Sequence, residues 1–395
     1  EITTRLVGSE MCIRDRLHDN AADSEERISN MKFICNKDTI LSVVQTTSKA
    51  AAGKSSIQAL EGILMELEGN TLTVTGYDLD IGIKTSIDVE GIESGNIVIS
   101  AKMAVDIIRK MPSGSITFEC SGNNLAEITN NMTSFSVSCS SADDYPNVPQ
   151  VNPDTSFTMP QKLLKSMIIQ TKFAVAVVDS KPALMGCKFE LENNVLSVAA
   201  VDGVRIALRQ EPVAYDNISF IVPAKTLEEL THILSDENDK NVTICIDKNQ
   251  ISFIVDGYTM ISRLLDGDFI PFKTYLKCSD EVYAEVNCRE MIDMLDRAML
   301  IINEKNKNPI RCEIKDNTIS MSCTTAIGKV NDSIPVKYNG QPLVVGFNAK
   351  YMLDAFKACD TDTVKLIATS SVAPLIILPM SGNEFTYLVL PMRLK

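Results

Sequence analysis

The side chains able to do chemistry in this 395-residue chain are few and poorly grouped. The segments "VDGVR", with Asp202 and Arg205, and "GYDLD", with Asp78 and Asp80, bring carboxylates close together, and a hydrolase using Asp202 and Arg205 is the enzyme reading they allow. Each segment follows a strand-like run, however, where aspartate supplies local hydrogen bonds and glycine permissive dihedrals, so both read better as turns. His232 falls on the polar face of a helix among Glu228, Glu229 and Asp236 and reads as a solvated residue. The 11 cysteines are scattered singly from Cys12 to Cys359, with no CxxC, and the only other imidazole is His18. That pattern argues against zinc and against a disulfide framework, and points to reduced, mostly buried thiols in a cytoplasmic protein. With no glycine-rich phosphate loop, nucleophile elbow or metal-spaced cluster, the chain is expected to be no enzyme and to carry no cofactor and no metal.

The basic residues say more by position than by number. The formal charge is −13, from 38 basic and 51 acidic residues, which speaks against a broad phosphate-binding surface but leaves room for a local basic track. Lys37, Lys49, Lys54, Lys102, Arg109, Lys110, Lys162, Lys165, Lys172, Lys225, Lys350 and Lys357 lie on or beside segments of helical spacing. Such charge is ordinarily a solvated face.

The elements that position these residues repeat. "ISAKMAVDIIRKM", "VPAKTLEELTHIL" and "FNAKYMLDAFKAC" share an Ala-Lys beginning at Ala101, Ala224 and Ala349, steps of 123 and 125. "NTLTVTGYDLD", "NVLSVAAVDGV" and "NTISMSCTTAI" begin at Asn70, Asn194 and Asn317, steps of 124 and 123. Two features holding one period define a duplicated domain, since the repeat is too long for a solenoid turn. In the first copy Met103, Ala104, Ile107, Ile108 and Met111 keep helical core spacing, with Lys102, Asp106, Arg109 and Lys110 opposite; the third copy buries Met352, Leu353 and Phe356 and exposes Lys350, Asp354 and Lys357. An earlier helix begins near Lys37, Lys162 and Arg289, with cores such as Ile40, Leu41 and Val44, or Leu163, Leu164, Met167 and Ile168. Runs such as "TLTVTG", "SITFEC", "NVTICI" and "VKLIAT" read as strands. The fold class is therefore α+β, three repeated domains each with two helices on antiparallel sheet, over 31–150, 151–277 and 278–395.

Residues 1–30 lack a hydrophobic core segment and are expected to be a non-native or disordered leader, since Met31 opens the strand-like "MKFIC" as a native start does. Removing its net −3 leaves −10 for the rest. No run approaches the roughly 18 apolar residues of a membrane span. Equivalent helices in all three domains would point the same way and gather their cations into one positive surface, able to meet DNA through phosphates without reading bases. The unpaired sheet edges left by three domains in a row suit head-to-tail pairing with a second copy, which closes a ring.

The chain ends on "TYLVLPMRLK", an apolar run, a proline and a basic residue with no polar tail. That ending, with "TGYDLD", "VDGVRIAL", "SRLLDGDFIPF" and the threefold period, resembles the bacterial β sliding clamps, the processivity subunits of replicative DNA polymerase III, from Met31 to Lys395. The resemblance implies a head-to-tail homodimeric ring of six similar domains, sheets outside and helices around a hole through which duplex DNA is threaded without sequence preference. DNA-facing residues would be Lys37, Lys54, Lys102, Arg109, Lys162, Lys165, Lys181, Lys225 and Lys350. It also implies a groove between the second and third domains, where short linear motifs of the polymerase catalytic subunit, the clamp loader, repair polymerases and ligase dock. Its residues would be Leu184, Val201, Gly203, Val204, Arg205, Ile206, Ile270, Thr274, Tyr275, Tyr351, Pro374, Leu388, Val389, Leu390, Pro391, Met392 and Arg393. Phe135 and Val137 would meet Leu300 and Ile301 of the second copy to close the dimer. Val204 and Thr274 depart from the histidine and the basic residue common in the family, "DGDFIPF" carries its proline one position late, and Lys395 extends past the usual terminal leucine. The alternative is a protein-interaction scaffold of clamp fold that does not encircle DNA.

Overall fold

The structure, a computed structural model, describes residues 30–122, 124–152, 154–178, 181–302 and 309–394; the expected leader, apart from Asn30, lies outside them. Two compact units form: one holds the described residues through Asp78 together with Thr85–Asn147, the other Leu79–Lys84 and everything from Val148. The described residues contain α1 (Lys37–Thr47), α2 (Ala101–Lys110), α3 (Gln161–Lys172), α4 (Ala224–Ile233), α5 (Phe272–Tyr275), α6 (Cys288–Met299) and α7 (Ala349–Ala358). Helices α1 and α2, α3 and α4, and α6 and α7 pack as pairs, one pair in each of three repeated domains. The duplicated Ala-Lys opens the second helix of every pair.

In the first unit the helix pair lies on antiparallel sheet. Phe33 pairs with Phe118 across neighbouring strands, and their rings stack at 5.2 Å. With Val44, Ile63, Val74, Ile99, Ala104, Ile108 and Ile128 they form one buried cluster. Asn36 ends the first strand and caps α1, its Oδ1 accepting from the Asp38 amide at 2.8 Å; this satisfies a donor that the first helical turn leaves orphaned. Helix α2 turns Ala104, Ile107 and Ile108 inward, but Met103 is 45% exposed, contrary to its expected core place. It neighbours Lys102 on the polar side, and its spacing from Ile107 does not by itself fix which flank of the stripe faces the sheet.

The second unit holds the other two domains. One antiparallel sheet runs, in spatial order, through Ile218–Pro223, Gly186–Glu192, Val195–Val201, Arg205–Pro212, Phe385–Val389, Leu375–Pro379, Thr363–Ile367, Ala284–Asn287 and Lys337–Tyr338. The C-terminal strand Phe385–Val389 is thus an interior strand, paired with Arg205–Pro212 of the second domain on one side and Leu375–Pro379 on the other. The apolar ending follows from that burial: Tyr387, Leu388 and Val389 are all 3% exposed or less. A second sheet orders Lys329–Pro335, Thr318–Thr324, Ile310–Lys315 and Leu343–Phe347, leaving Leu343–Phe347 on an edge. Asn287 caps α6 and Asn348 caps α7 through their side-chain oxygens.

Candidate functional site

A cleft of about 270 Å³ opens where the second and third domains share the sheet, and ten residues line it: Val201, Gly203, Val204, Arg205, Ile206, Ile270, Tyr275, Pro374, Leu388 and Leu390. The pairing register makes its floor. Ile206 lies opposite Leu388, so two apolar side chains from distant parts of the sequence stand together. Leu184, Val201 and Phe272 pack with them in a buried cluster. The mouth is apolar and open, with Val204 39%, Leu390 40% and Tyr275 56% exposed. Such a surface accepts apolar side chains of an extended peptide, with few polar groups to fix its direction.

The "VDGVR" turn forms one wall. Asp202 Oδ1 accepts from the amides of Val204 and Arg205 at 3.1 and 3.0 Å, and Gly203 takes φ +87°, a left-handed backbone that favours glycine. Asp202 Oδ2 accepts from Arg205 Nε at 2.8 Å, so both carboxylate oxygens are occupied in holding the turn. The same guanidinium donates to Asp354 Oδ2 at 2.7 Å and lies 4.4 Å above the centre of the Tyr351 ring and 5.6 Å from that of Phe173. Arg205 is 8% exposed, held between two carboxylates and two rings. Asp354 was expected on a solvated helix face; it is half-buried instead, because the second domain supplies a cation above α7. The Asn348 cap also accepts from the Tyr351 amide, fixing the first turn that carries this ring.

Helix α5 forms the opposite wall and brings Tyr275 to the cleft. Lys273 anchors it through ion pairs to Glu190 and to Glu192, the latter at 2.9 Å. Burial works to raise the Glu190 pKa, but hydrogen bonds from Lys273 and Lys188 outweigh it and hold the carboxyl below its ordinary value. Burial likewise opposes the charge on Lys273, and the two glutamates reverse that and raise its pKa.

The remaining groove residues fall around this core. Thr274 is exposed on α5, outside the lining, and Tyr351 lies under Arg205. Val389 is 1% exposed and alternates to the sheet face opposite Leu388. Pro391, Met392 and Arg393 follow the last strand as a segment whose Met392 amide donates to the Gly346 carbonyl at 2.8 Å, while the Leu390 amide donates to that of Val204 at 2.9 Å. The spacing of Asp354, Lys273, Phe173 and Gly346 gave no sign of a site, since each acts through a partner remote in the sequence. Asn348 ahead of a helical run was legible as a cap.

The basic residues differ by domain. Lys54, Lys102 and Arg109 are exposed, Lys37 is half-buried, and Arg109 lies 3.6 Å from Asp106. On α3, Lys165 pairs with Asp236 at 2.8 Å and Lys162 donates to Asn238 at 3.0 Å. These two cations are thus engaged by the segment that follows α4 rather than simply solvated. Lys181, Lys225 and Lys350 are exposed. Of the residues expected to close a dimer, Leu300 is 81% and Phe135 37% exposed and Ile301 is half-buried, whereas Val137 is 8% exposed and belongs to the core of the first unit. Phe135 and Val137 share one face of the strand Thr133–Ser140, but Val137 and Cys139 lie over the core cluster and Phe135 lies outside it.

Burial pushes the thiols of Cys35, Cys139, Cys187 and Cys312 up to about 12, which disfavours their thiolates, whereas a hydrogen bond from Cys359 holds buried Cys288 below its ordinary value. Among the described residues no group of three His, Cys, Asp or Glu side chains is placed to hold a metal ion.

Three α+β domains of one design, the last two joined through a shared sheet beside an apolar cleft, define a clamp-fold protein. The chain belongs to the DNA polymerase III beta subunit family, the beta sliding clamps. The N-terminal, central and C-terminal domains of that subunit match residues 31–149, 158–271 and 279–393. The beta sliding clamp of Halalkalibacterium halodurans is 30% identical over 379 residues, spanning 92% of this chain and 100% of the relative. That of Staphylococcus aureus is 31% identical over 376 residues, spanning 92% and 99%. The crystal structure of the DNA polymerase sliding clamp from Bacillus subtilis superposes with a TM-score of 0.87 at 30% identity, over 93% of this chain and 100% of that one.

Proposed function

We propose that this protein is a sliding clamp that encircles duplex DNA and tethers the replicative polymerase to it, conferring processivity without catalysing a reaction. Two copies associate head to tail, Phe135 with Leu300 and Ile301 at the contact, the three domains being 31–150, 151–277 and 278–395. DNA passes through the ring and is held topologically, with Lys37, Lys54, Lys102, Arg109, Lys181, Lys225 and Lys350 meeting phosphates. The polymerase, the clamp loader, repair polymerases and ligase dock by short linear motifs in the cleft lined by Val201, Val204, Ile206, Tyr275, Leu388 and Leu390. The observation that carries this reading is the cleft itself: an apolar, open-mouthed pocket at a shared sheet, in a chain whose three domains all match one family. No helix among the described residues is long and apolar enough to cross a membrane, and we place the protein with the replication machinery in the cytoplasm.

A threading experiment tests it. Protein loaded onto nicked circular DNA is expected to stay bound through gel filtration and to slide off once the circle is linearised. Retention on the linear molecule, or failure to be retained on the circle with a competent loader, would sink the encircling function and leave a scaffold that uses the cleft alone.

A further inference from the structure

The Leu390 wall of the cleft is held in part from outside the cleft. After the last strand ends at Val389 the chain continues through Leu390 to Leu394, beyond the shared sheet. Two backbone contacts guide it: the Leu390 amide donates to the Val204 carbonyl at 2.9 Å, and the Met392 amide to the Gly346 carbonyl at 2.8 Å. Gly346 lies in the edge strand Leu343–Phe347, whose other side is paired with Ile310–Lys315. The C-terminal segment therefore covers an edge that would otherwise present unpaired backbone. A Cβ at position 346 would stand 2.5 Å from the Met392 carbonyl oxygen and 2.8 and 2.9 Å from Leu394 Cδ2 and Cγ. Glycine within a strand often marks such a close backbone approach.

We propose that Gly346 is a positioning residue for the groove: by lacking a side chain it lets the segment Leu390–Leu394 seat on the third domain's edge strand, and that seat fixes where Leu390 meets an incoming peptide. Gly346 does not line the cleft; it acts through Met392 and Leu394. The inference rests on the peptide-docking reading above, and its test separates the two.

The full chain is compared with Gly346→Ala and Gly346→Val by amide hydrogen exchange, with the Leu208 amide in the sheet interior as reference. Affinity is read by fluorescence polarisation of a labelled peptide that carries a glutamine followed by apolar side chains. In Gly346→Ala, exchange at Met392 is expected to accelerate while Leu208 is unchanged, and peptide affinity to fall about tenfold, about 1.4 kcal/mol. Gly346→Val weakens it further. Adding Leu394→Ala to Gly346→Ala is expected to restore part of the affinity, since two of the three crowded atoms belong to Leu394. Unchanged exchange at Met392 in both variants overturns the seat, whatever the peptide does. Faster exchange with affinity intact overturns its link to the groove. A peptide that binds neither the native chain nor any variant counts against the docking reading instead, and the Met392 amide still decides whether Gly346 seats the segment.

Discussion

Removing the Asp354 carboxylate tests the ion-paired junction beneath the cleft. Asp354 Oδ2 accepts from Arg205 at 2.7 Å across 149 positions of sequence, and the two side chains are 27% and 9% exposed. Truncating one partner of a fully buried pair costs roughly 3–5 kcal/mol, because the other charge is left unsatisfied. Here Asp202 remains on Arg205 Nε and the Tyr351 ring still lies beneath the guanidinium, so the loss is closer to one charge-assisted hydrogen bond, about 2 kcal/mol. Asp202→Ala also orphans the Val204 and Arg205 amides and is expected to cost more, about 3 kcal/mol. The assay is urea unfolding followed by circular dichroism, as the chain has no tryptophan. A double-mutant cycle with Arg205→Ala isolates the pair and is expected to return a coupling of about 2 kcal/mol. A coupling below about 0.5 kcal/mol, the level at which independent sites simply add, would refute the argument that this pair holds the second and third domains' shared cleft.

Other outcomes follow from the same geometry. Gly203→Ala meets open space but forces an alanine into a left-handed backbone, so a loss of about 1 kcal/mol is expected in urea unfolding, with no cavity or clash to add to it. The α5 anchor gives a pH dependence with a definite sign: the Glu190 pKa is depressed, so its contribution is present above the ordinary carboxylate value and is lost as pH falls through the lower folded value. The Lys273 pKa is raised, so its part is present below the ordinary lysine value and disappears as pH rises through the higher folded one; Lys273→Ala should flatten both limbs of the unfolding free energy against pH, read by urea unfolding. Leu300→Ala with Ile301→Ala is expected to give monomers in sedimentation at nanomolar concentration, and a double variant still dimeric there rejects that interface. For DNA, Lys54→Ala and Lys102→Ala should each lower the slope of log affinity against log salt by about 0.9 for every phosphate left without its cation, while Lys165→Ala, whose ammonium faces Asp236, should change it little.

The sequence by itself determined the repeat, the fold class and the helices. Local spacing carries that information: a 3.6-residue period places Ile107 and Ile108 inward on α2, and alternation marks Ser115–Cys120 as a strand. The turn at Gly203 was legible for the same reason, since an Asx turn and a left-handed glycine are settled within four residues. The flank of α2 was not legible, as Met103 shows, because a period fixes the width of a stripe but not which neighbour covers its margin. Tertiary structure alone decided that Asp354 lies against Arg205, that Lys273 reaches back to Glu190, and that Met392 rests on Gly346. Each of these joins segments that no local pattern relates, and the first exists because two domains complete one sheet around the strand Phe385–Val389.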